Sequence, residues 1–348
     1  MIYNKKNIHN EVDKENINNK IKEYFIIDEI SLPQVSKRKI VINNKEYTMI
    51  KLLSTGSYGK IYLYLDETNM KYYIIKVPIN NESIKAINAE IKIHGIISAF
   101  QKLYLENKVF EKRVKFHPKI VPEIKYFFTD KITGLKNIMM EKYDGDIYKK
   151  LTKLDVTYEP DKLFLLELLY QLSCQLKILQ KYFQFMHNDL KGNNIFYKLI
   201  NGDKELTYDN IRFVLGDFGG SYIKFNNFII QGDIKGIENN FNPNKDLFML
   251  VHIIITFINS QNRRNLIIFL KTLFNQIDET NTITENDKWH NLYILDNYPN
   301  EYNPKKFLNK LEQIYPQFKR DKLDCFSIID NEILSNKEII KKKYKIHY

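Results

Sequence analysis

The apolar positions of this chain change period from one segment to the next. Leu169, Leu172, Leu176 and Leu179 recur every three or four residues, the period of one helix face. That spacing predicts a long helix with a buried stripe, and the leucines read as core positions rather than as a zipper seam. The longest apolar run, Leu247 to Ile258, is interrupted by His252 and is too short to span a bilayer. Two other apolar runs flank Leu53-Ser54-Thr55-Gly56-Ser57-Tyr58-Gly59-Lys60-Ile61-Tyr62, where Gly56 and Gly59 break the pattern. Residues 1–45 are polar and mixed in charge, which reads as an extension, partly ordered at best. Residues 101–116 read as an insertion and 276–288 as a polar loop. Ile200-Asn201-Gly202-Asp203 has the composition of a hairpin turn. No internal repeat is visible.

Composition narrows the class. A chain of 348 residues can bury a sizeable core, and 44% hydrophobic with 27% charged residues is ordinary for a globular protein. Two cysteines, Cys174 and Cys325, give no disulfide framework and point to a reducing compartment. The start Met1-Ile2-Tyr3-Asn4-Lys5-Lys6 lacks the apolar core of a signal peptide. No membrane anchor and a cytoplasmic location are therefore expected. The net charge of +11 could attract polyanions, but the lysines are spread along a chain crowded with Lys, Asn, Ile and Tyr, as an AT-rich coding bias gives. The dense cluster Lys341-Lys342-Lys343-Tyr344-Lys345 reads as a solvated end, with nucleic acid or another polyanion as a secondary contact.

The chemistry concentrates in His187-Asn188-Asp189-Leu190-Lys191-Gly192-Asn193-Asn194, followed by Asp217-Phe218-Gly219. Upstream stand the glycine-rich segment, then Tyr73-Ile74-Ile75-Lys76, Asn88-Ala89-Glu90, His117-Pro118-Lys119-Ile120-Val121 and Met139-Met140-Glu141-Lys142-Tyr143. In this order the segments resemble the eukaryotic-type Ser/Thr protein kinase family, over roughly residues 46 to 258. The resemblance implies a role for each. Asp189 accepts the substrate hydroxyl proton, and Lys191 steadies the transferring phosphoryl. Asn194 and Asp217 bind metal. Ser54 stands at the first glycine position of the phosphate loop. Gly56 and Gly59 let the backbone approach a triphosphate, since no Cβ intrudes. Lys76 holds the α- and β-phosphates and needs a carboxylate partner, Glu90 rather than Glu82. Ile61, Ile74 and Phe196 enclose the adenine. Met140 is the gatekeeper, and Glu141 and Tyr143 form the hinge.

The departures are informative. Asn188 replaces the Arg that commonly meets a phosphate in the family, and an uncharged amide makes no strong ion pair. From Gly220 to Lys245 the hydroxyl residues are Ser221 and Tyr222, directly after the metal turn, and no Ala-Pro-Glu follows. The loop therefore reads as adopting its active shape without phosphorylation, through packing of Phe225, Phe228, Ile229 and Ile230 on the large lobe. Asp246 would orient the catalytic-loop backbone, with Val251 where glycine is usual. Ile74 and Phe196 are bulkier than the family's usual residues. His187 and His94 read as packing residues.

The expected fold is α+β and bilobal, with 46–141 a small antiparallel lobe plus one helix and 142–348 a mainly α large lobe whose final third diverges. The expected function is an ATP- and Mg²⁺-dependent Ser/Thr protein kinase, with Mn²⁺ as a substitute metal, protein substrates and a monomeric state. Within the family the motif set looks like kinases of large cytoplasmic DNA viruses, poxviruses and their relatives, which would place it in host cytoplasm or virion. A small-molecule or lipid kinase of related fold, and a catalytically dead kinase-like scaffold, are the alternatives.

Overall fold

Alternation along the strands sorts the small lobe into two faces. The computed structural model describes residues 30–32, 39–42, 44–56, 59–79, 83–104, 119–130, 134–200, 210–225, 228–232, 240–277 and 298–318. Seven strands, β1 (Ile30–Leu32), β2 (Lys39–Ile42), β3 (Lys45–Thr55), β4 (Gly59–Asp66), β5 (Lys71–Pro78), β6 (Ile124–Asp130) and β7 (Lys136–Glu141), form one sheet in the order β1-β6-β7-β5-β4-β3-β2. Every pairing is antiparallel except β1 with β6. On one face Ile40, Ile42, Tyr47, Tyr64, Ile75, Phe128 and Met139, drawn from six strands, close on each other as a buried cluster. The sheet therefore curls around its own core. On the other face Ile74 and Met140 pack with Ile124 and with Ile91 of helix α1 (Ser83–Tyr104). Because side chains alternate, Lys76 shares the face of Ile74, not that of Ile75. The segment read as an extension supplies β1 and β2, so the lobe begins earlier than position 46. Apolar residues spaced by two, Ile40 and Ile42, are what carry it into the sheet.

The large lobe is built on α3 (Glu159–Phe183), which follows β8 (Gly145–Asp146) and α2 (Tyr148–Thr152). Pro160 sits in its first turn beside Glu159 and Asp161, where a missing N–H and negative charge are both favoured. Its end is set by Gln184, left-handed at φ 44°, whose N–H donates to the Gln180 carbonyl. Leu169, Leu172, Leu176 and Leu179 are buried, as their spacing implied. So are two glutamines. Strand β10 (Ile211–Leu215) pairs with β9 (Ile195–Leu199) along one edge. Along the other, Gln171 accepts from the Phe213 N–H (2.9 Å) and donates to the Ile211 carbonyl (3.0 Å), and Gln175 donates to the Phe213 carbonyl (2.7 Å). These amides act as a substitute strand and satisfy backbone groups that burial would otherwise leave unpaired. Gln101 of α1 does the same for the N–H groups of Ile120 and Val121, at 2.7 and 3.1 Å. The strand that delivers Asp217 is thereby fixed on both edges.

The run from Leu247 forms α4 (Lys245–Phe257), followed by α5 (Ser260–Leu273) and α6 (Pro304–Ile314). A short hairpin, β11 (Tyr222–Phe225) and β12 (Phe228–Gln231), follows the metal turn. The arrangement is the α+β two-lobe one expected. Ile200 N–H meets the Asn210 carbonyl at 2.6 Å, bracketing the expected hairpin turn. The tip of that turn, most of the expected insertion after Tyr104, the polar loop from 278 and the C-terminal lysines lie outside the described residues. Among the described residues no helix is long and apolar enough to cross a membrane.

Candidate active site

Ala86, Glu90 and His94 recur every four residues and so stack along one face of α1. That face meets the turn at Asp217. A Cβ on Gly219 would lie 3.6 Å from Ala86, and the His94 ring is 5.2 Å from Phe218. Between them Lys76, presented by β5, bonds Glu90 at 2.6 Å and Asp217 at 2.8 Å. Glu82 lies outside the described residues. Burial pushes the Lys76 ammonium down, but Glu90 and Asp217 outweigh it and hold it above the ordinary lysine value. Burial pushes Glu90 up, to about 7, against the pull of Lys76. Asp217, also resisted by burial, is held below its usual value by Lys76. Two carboxylates thus share one ammonium.

The loop of His187 to Asn194 is held from below. The buried Asp246 carboxylate, at the start of α4, accepts the N–H groups of His187 (2.8 Å) and Asn188 (3.0 Å). Burial raises its pKa, against the pull of those two donors and of nearby positive charge. Above it, the Asn194 amide donates to the Asp189 carbonyl (2.8 Å) and carboxylate (2.9 Å), and Lys191 pairs with the same carboxylate oxygen at 2.9 Å. Gly216 N–H reaches the Asn194 carbonyl at 2.9 Å, and His187 Nε2 meets the Gly216 carbonyl at 3.0 Å. These bonds draw Asp189, Lys191, Asn194 and Asp217 into one site.

The donor set fits a magnesium ion shared with a nucleotide. Among the described residues no cluster of three or more His, Cys, Asp or Glu could hold a metal alone. The Asn194 amide nitrogen is spent on Asp189, which leaves its oxygen as the group for a hard cation, and the Asp217 side chain remains 36% exposed. One or two protein oxygens completed by phosphates is the usual provision for Mg²⁺.

The nucleotide side is built from strand register. Ser54 lies opposite Ile61, and Gly56 N–H donates to the Gly59 carbonyl at 2.9 Å; Ser57 and Tyr58 lie outside the described residues. Ile61 faces Lys76 across β4 and β5, and Ile74 lies between Leu63 and Met140. The Phe196 ring lies over Gly216, where any Cβ would come within 2.1 Å of it. The Phe196 ring thus requires glycine before Asp217. At the hinge the Glu141 carboxylate, though resisted by burial, is held low by Lys198 and Lys119. Lys198 also lies over the ring of Tyr143, which is 8% exposed. The side chains of Glu141 and Tyr143 are thus engaged with β9.

The segment after the metal turn departs from expectation. Phe225 and Phe228 side chains lie outside what is described. Ile229 is 58% exposed, and Ile229, Ile230 and Gln231 line a cleft of about 470 Å³ with Ile84, Asn88, Ala89 and Lys92 of α1. Strand β12 therefore lies beside the small-lobe helix, although Ile230 also meets the edge of the main core. The hairpin brings it there, because β11 is already tied to the catalytic loop through the Met186–Tyr222 bridge. Ser221 is fully buried and its hydroxyl donates to the His187 carbonyl at 3.0 Å. Sequence reasoning missed the glutamine substitutes, the Phe196–Gly216 contact and the stacking of Phe218 between His94 and His187, the latter at 5.4 Å. For the last, the four-residue spacing of Glu90 and His94 was the available signal.

No family model and no curated protein matches the chain. Among solved structures it is similar to the crystal structure of the BubR1 kinase domain, with a TM-score of 0.48 at 14% identity over 95% of this chain and 99% of that one. It is also similar to the structure of vaccinia related kinase 3, with a TM-score of 0.48 at 10% identity over 87% and 96%.

Proposed function

We propose that this protein is an ATP-dependent protein kinase that transfers the γ-phosphoryl group to Ser or Thr hydroxyls. The observation that carries the reading is Lys76 bonded at once to Glu90 and Asp217, across the cleft from an Asp189 that is itself held by Asn194 and Lys191. A dead scaffold would gain little from this cluster, since apolar residues of like size often stabilise a fold as well as paired buried charges do. In this reading Lys76 positions the α- and β-phosphates, with Glu90 fixing its direction. Asp189 orients the substrate hydroxyl and takes its proton, and Lys191 moves from Asp189 to the γ-phosphoryl as charge develops there. Asn194 and Asp217 would hold Mg²⁺, which would supply positive charge against the charge on the phosphates.

The preference for Ser and Thr rests on Lys191 two residues after Asp189. Incubation with Mg²⁺ and γ-labelled ATP against a protein panel, followed by phosphoamino-acid analysis, is expected to place label on Ser and Thr. Label confined to lipid or a small metabolite would replace the reading. Asp217→Ala should abolish Mg²⁺-dependent nucleotide binding; affinity that stays metal-dependent in that variant would place the nucleotide elsewhere.

A further inference from the structure

We infer that Asn188 is a positioning residue for the metal turn, acting as a neutral clamp where a charged residue answering to a phosphate is the alternative design. The inference rests on the phosphotransferase reading for its consequence, and on geometry for its substance. Asn188 is 2% exposed and left-handed, at φ 63°, a conformation that asparagine tolerates better than most residues other than glycine. That backbone turn lets its N–H face Asp246 while its side chain points at the metal turn. There Nδ2 donates to the Gly220 carbonyl at 3.1 Å, and Oδ1 has no partner among the described residues. The donation is therefore the side chain's whole polar contribution.

The bond does not act alone. Ser221 returns a hydrogen bond to the His187 carbonyl at 3.0 Å, and Met186 and Tyr222 exchange N–H···O bonds of 2.9 and 2.8 Å. The far end of the hairpin closes on the same point. Gly232 N–H donates to the Ser221 carbonyl at 2.7 Å, and a Cβ on Gly232 would lie 2.0 Å from the Gly219 carbonyl oxygen. The near end of the segment is thus fastened to residues 186–188, and the far end to Ser221, by uncharged groups. None of these contacts waits on an added charge, and among the described residues the side chain that ties residues 186–188 to the Gly220 carbonyl is that of Asn188.

Two substitutions in the full chain test this. Asn188→Gly keeps the left-handed backbone without strain and deletes the side chain, donor included. It should lower kcat roughly 5–30-fold, leave Mg·ATP affinity within about twofold, and speed amide exchange at Gly220–Tyr222. Asn188→Asp keeps the size but sets a carboxylate against a carbonyl. Its loss should be larger at pH 8 and should shrink relative to wild type towards pH 6. A carboxyl buried there against the Gly220 carbonyl has a raised pKa, and once protonated it donates to Gly220 as the amide does. A residue that merely fills space gives no such pH profile. Asn188→Gly with wild-type kcat and wild-type exchange would overturn the inference, as would an Asn188→Asp profile parallel to wild type. If wild type transfers no phosphoryl group the function proposed above fails, yet exchange at Gly220–Tyr222 still decides whether the clamp exists.

Discussion

The turn Asp217–Gly220 is gripped from two sides by opposite means. On the small-lobe side the grip is charge: Lys76 between Glu90 and Asp217. On the large-lobe side it is neutral: Asn188 and Ser221 exchange hydrogen bonds with Gly220 and His187. Charge would respond to what enters the cleft, because phosphates and a divalent cation would compete for the same ammonium and carboxylate. Neutral bonds between buried groups respond to little. On the proposed function, nucleotide would adjust the charged half of the turn and leave the neutral half as it is, which is what activity without phosphorylation would require.

Substitutions can break either side, and Asp189→Asn sets the floor for both. It should cut turnover roughly 10²–10⁴-fold with nucleotide binding intact, measured by steady-state kinetics and equilibrium titration, because the proton acceptor goes and the pocket stays. Lys76→Met strands two carboxylates at short range. Stability should fall by roughly 3–5 kcal/mol in denaturant unfolding, and nucleotide affinity should fall with it, since breaking a buried pair leaves uncompensated charge. A loss below about 1 kcal/mol would mean that water already screens the cluster.

A pH series probes the helix between the two sides. His94 is fully buried, its Nε2 meets the Pro122 carbonyl at 2.8 Å, and burial lowers its pKa to about 4. The unfolded chain therefore binds a proton that the folded one refuses between about pH 6.5 and 4, so His94 makes stability fall as pH falls across that window. Glu90 runs the other way: its raised pKa makes the folded state the better proton binder from about pH 4.5 to 7. The overall curve mixes the two, and comparison with His94→Leu separates them. Wild type should lose more stability than the variant on acidification, by roughly 2–4 kcal/mol across the window. Equal losses would show that His94 is already charged in the fold. The smallest effect belongs to Ser221→Ala, which removes one neutral bond and should cost less than about tenfold in rate.

The sequence made the charged side legible and the neutral side only half so. Lys76, Glu90, Asp189, Asn194 and Asp217 were identifiable because each residue type is demanded by the chemistry at a set spacing. The leucines of α3 were identifiable because burial of one helix face imposes a period. Asn188 stood out as a missing charge, but its left-handed backbone and its reach to Gly220 depend on a loop conformation that no periodicity encodes. Gln171 and Gln175 look like surface residues in a string and became core residues because a strand edge needed partners. Ile40 and Ile42 were lost in a polar stretch, since two alternating positions are too few to announce a strand. The placement of β12 against α1 followed from a hairpin whose turn carries no glycine signal.

The most direct test of the account is a rate measurement on phosphatase-treated full-length protein, confirmed unphosphorylated by intact mass, given Mg²⁺, γ-labelled ATP and a Ser/Thr protein substrate. The account predicts transfer from the first turnover without a lag, at the rate of untreated protein, and its near disappearance in Asp189→Asn. It would be contradicted by a rate that collapses on dephosphorylation and returns only when a residue between Gly220 and Lys245 is phosphorylated again.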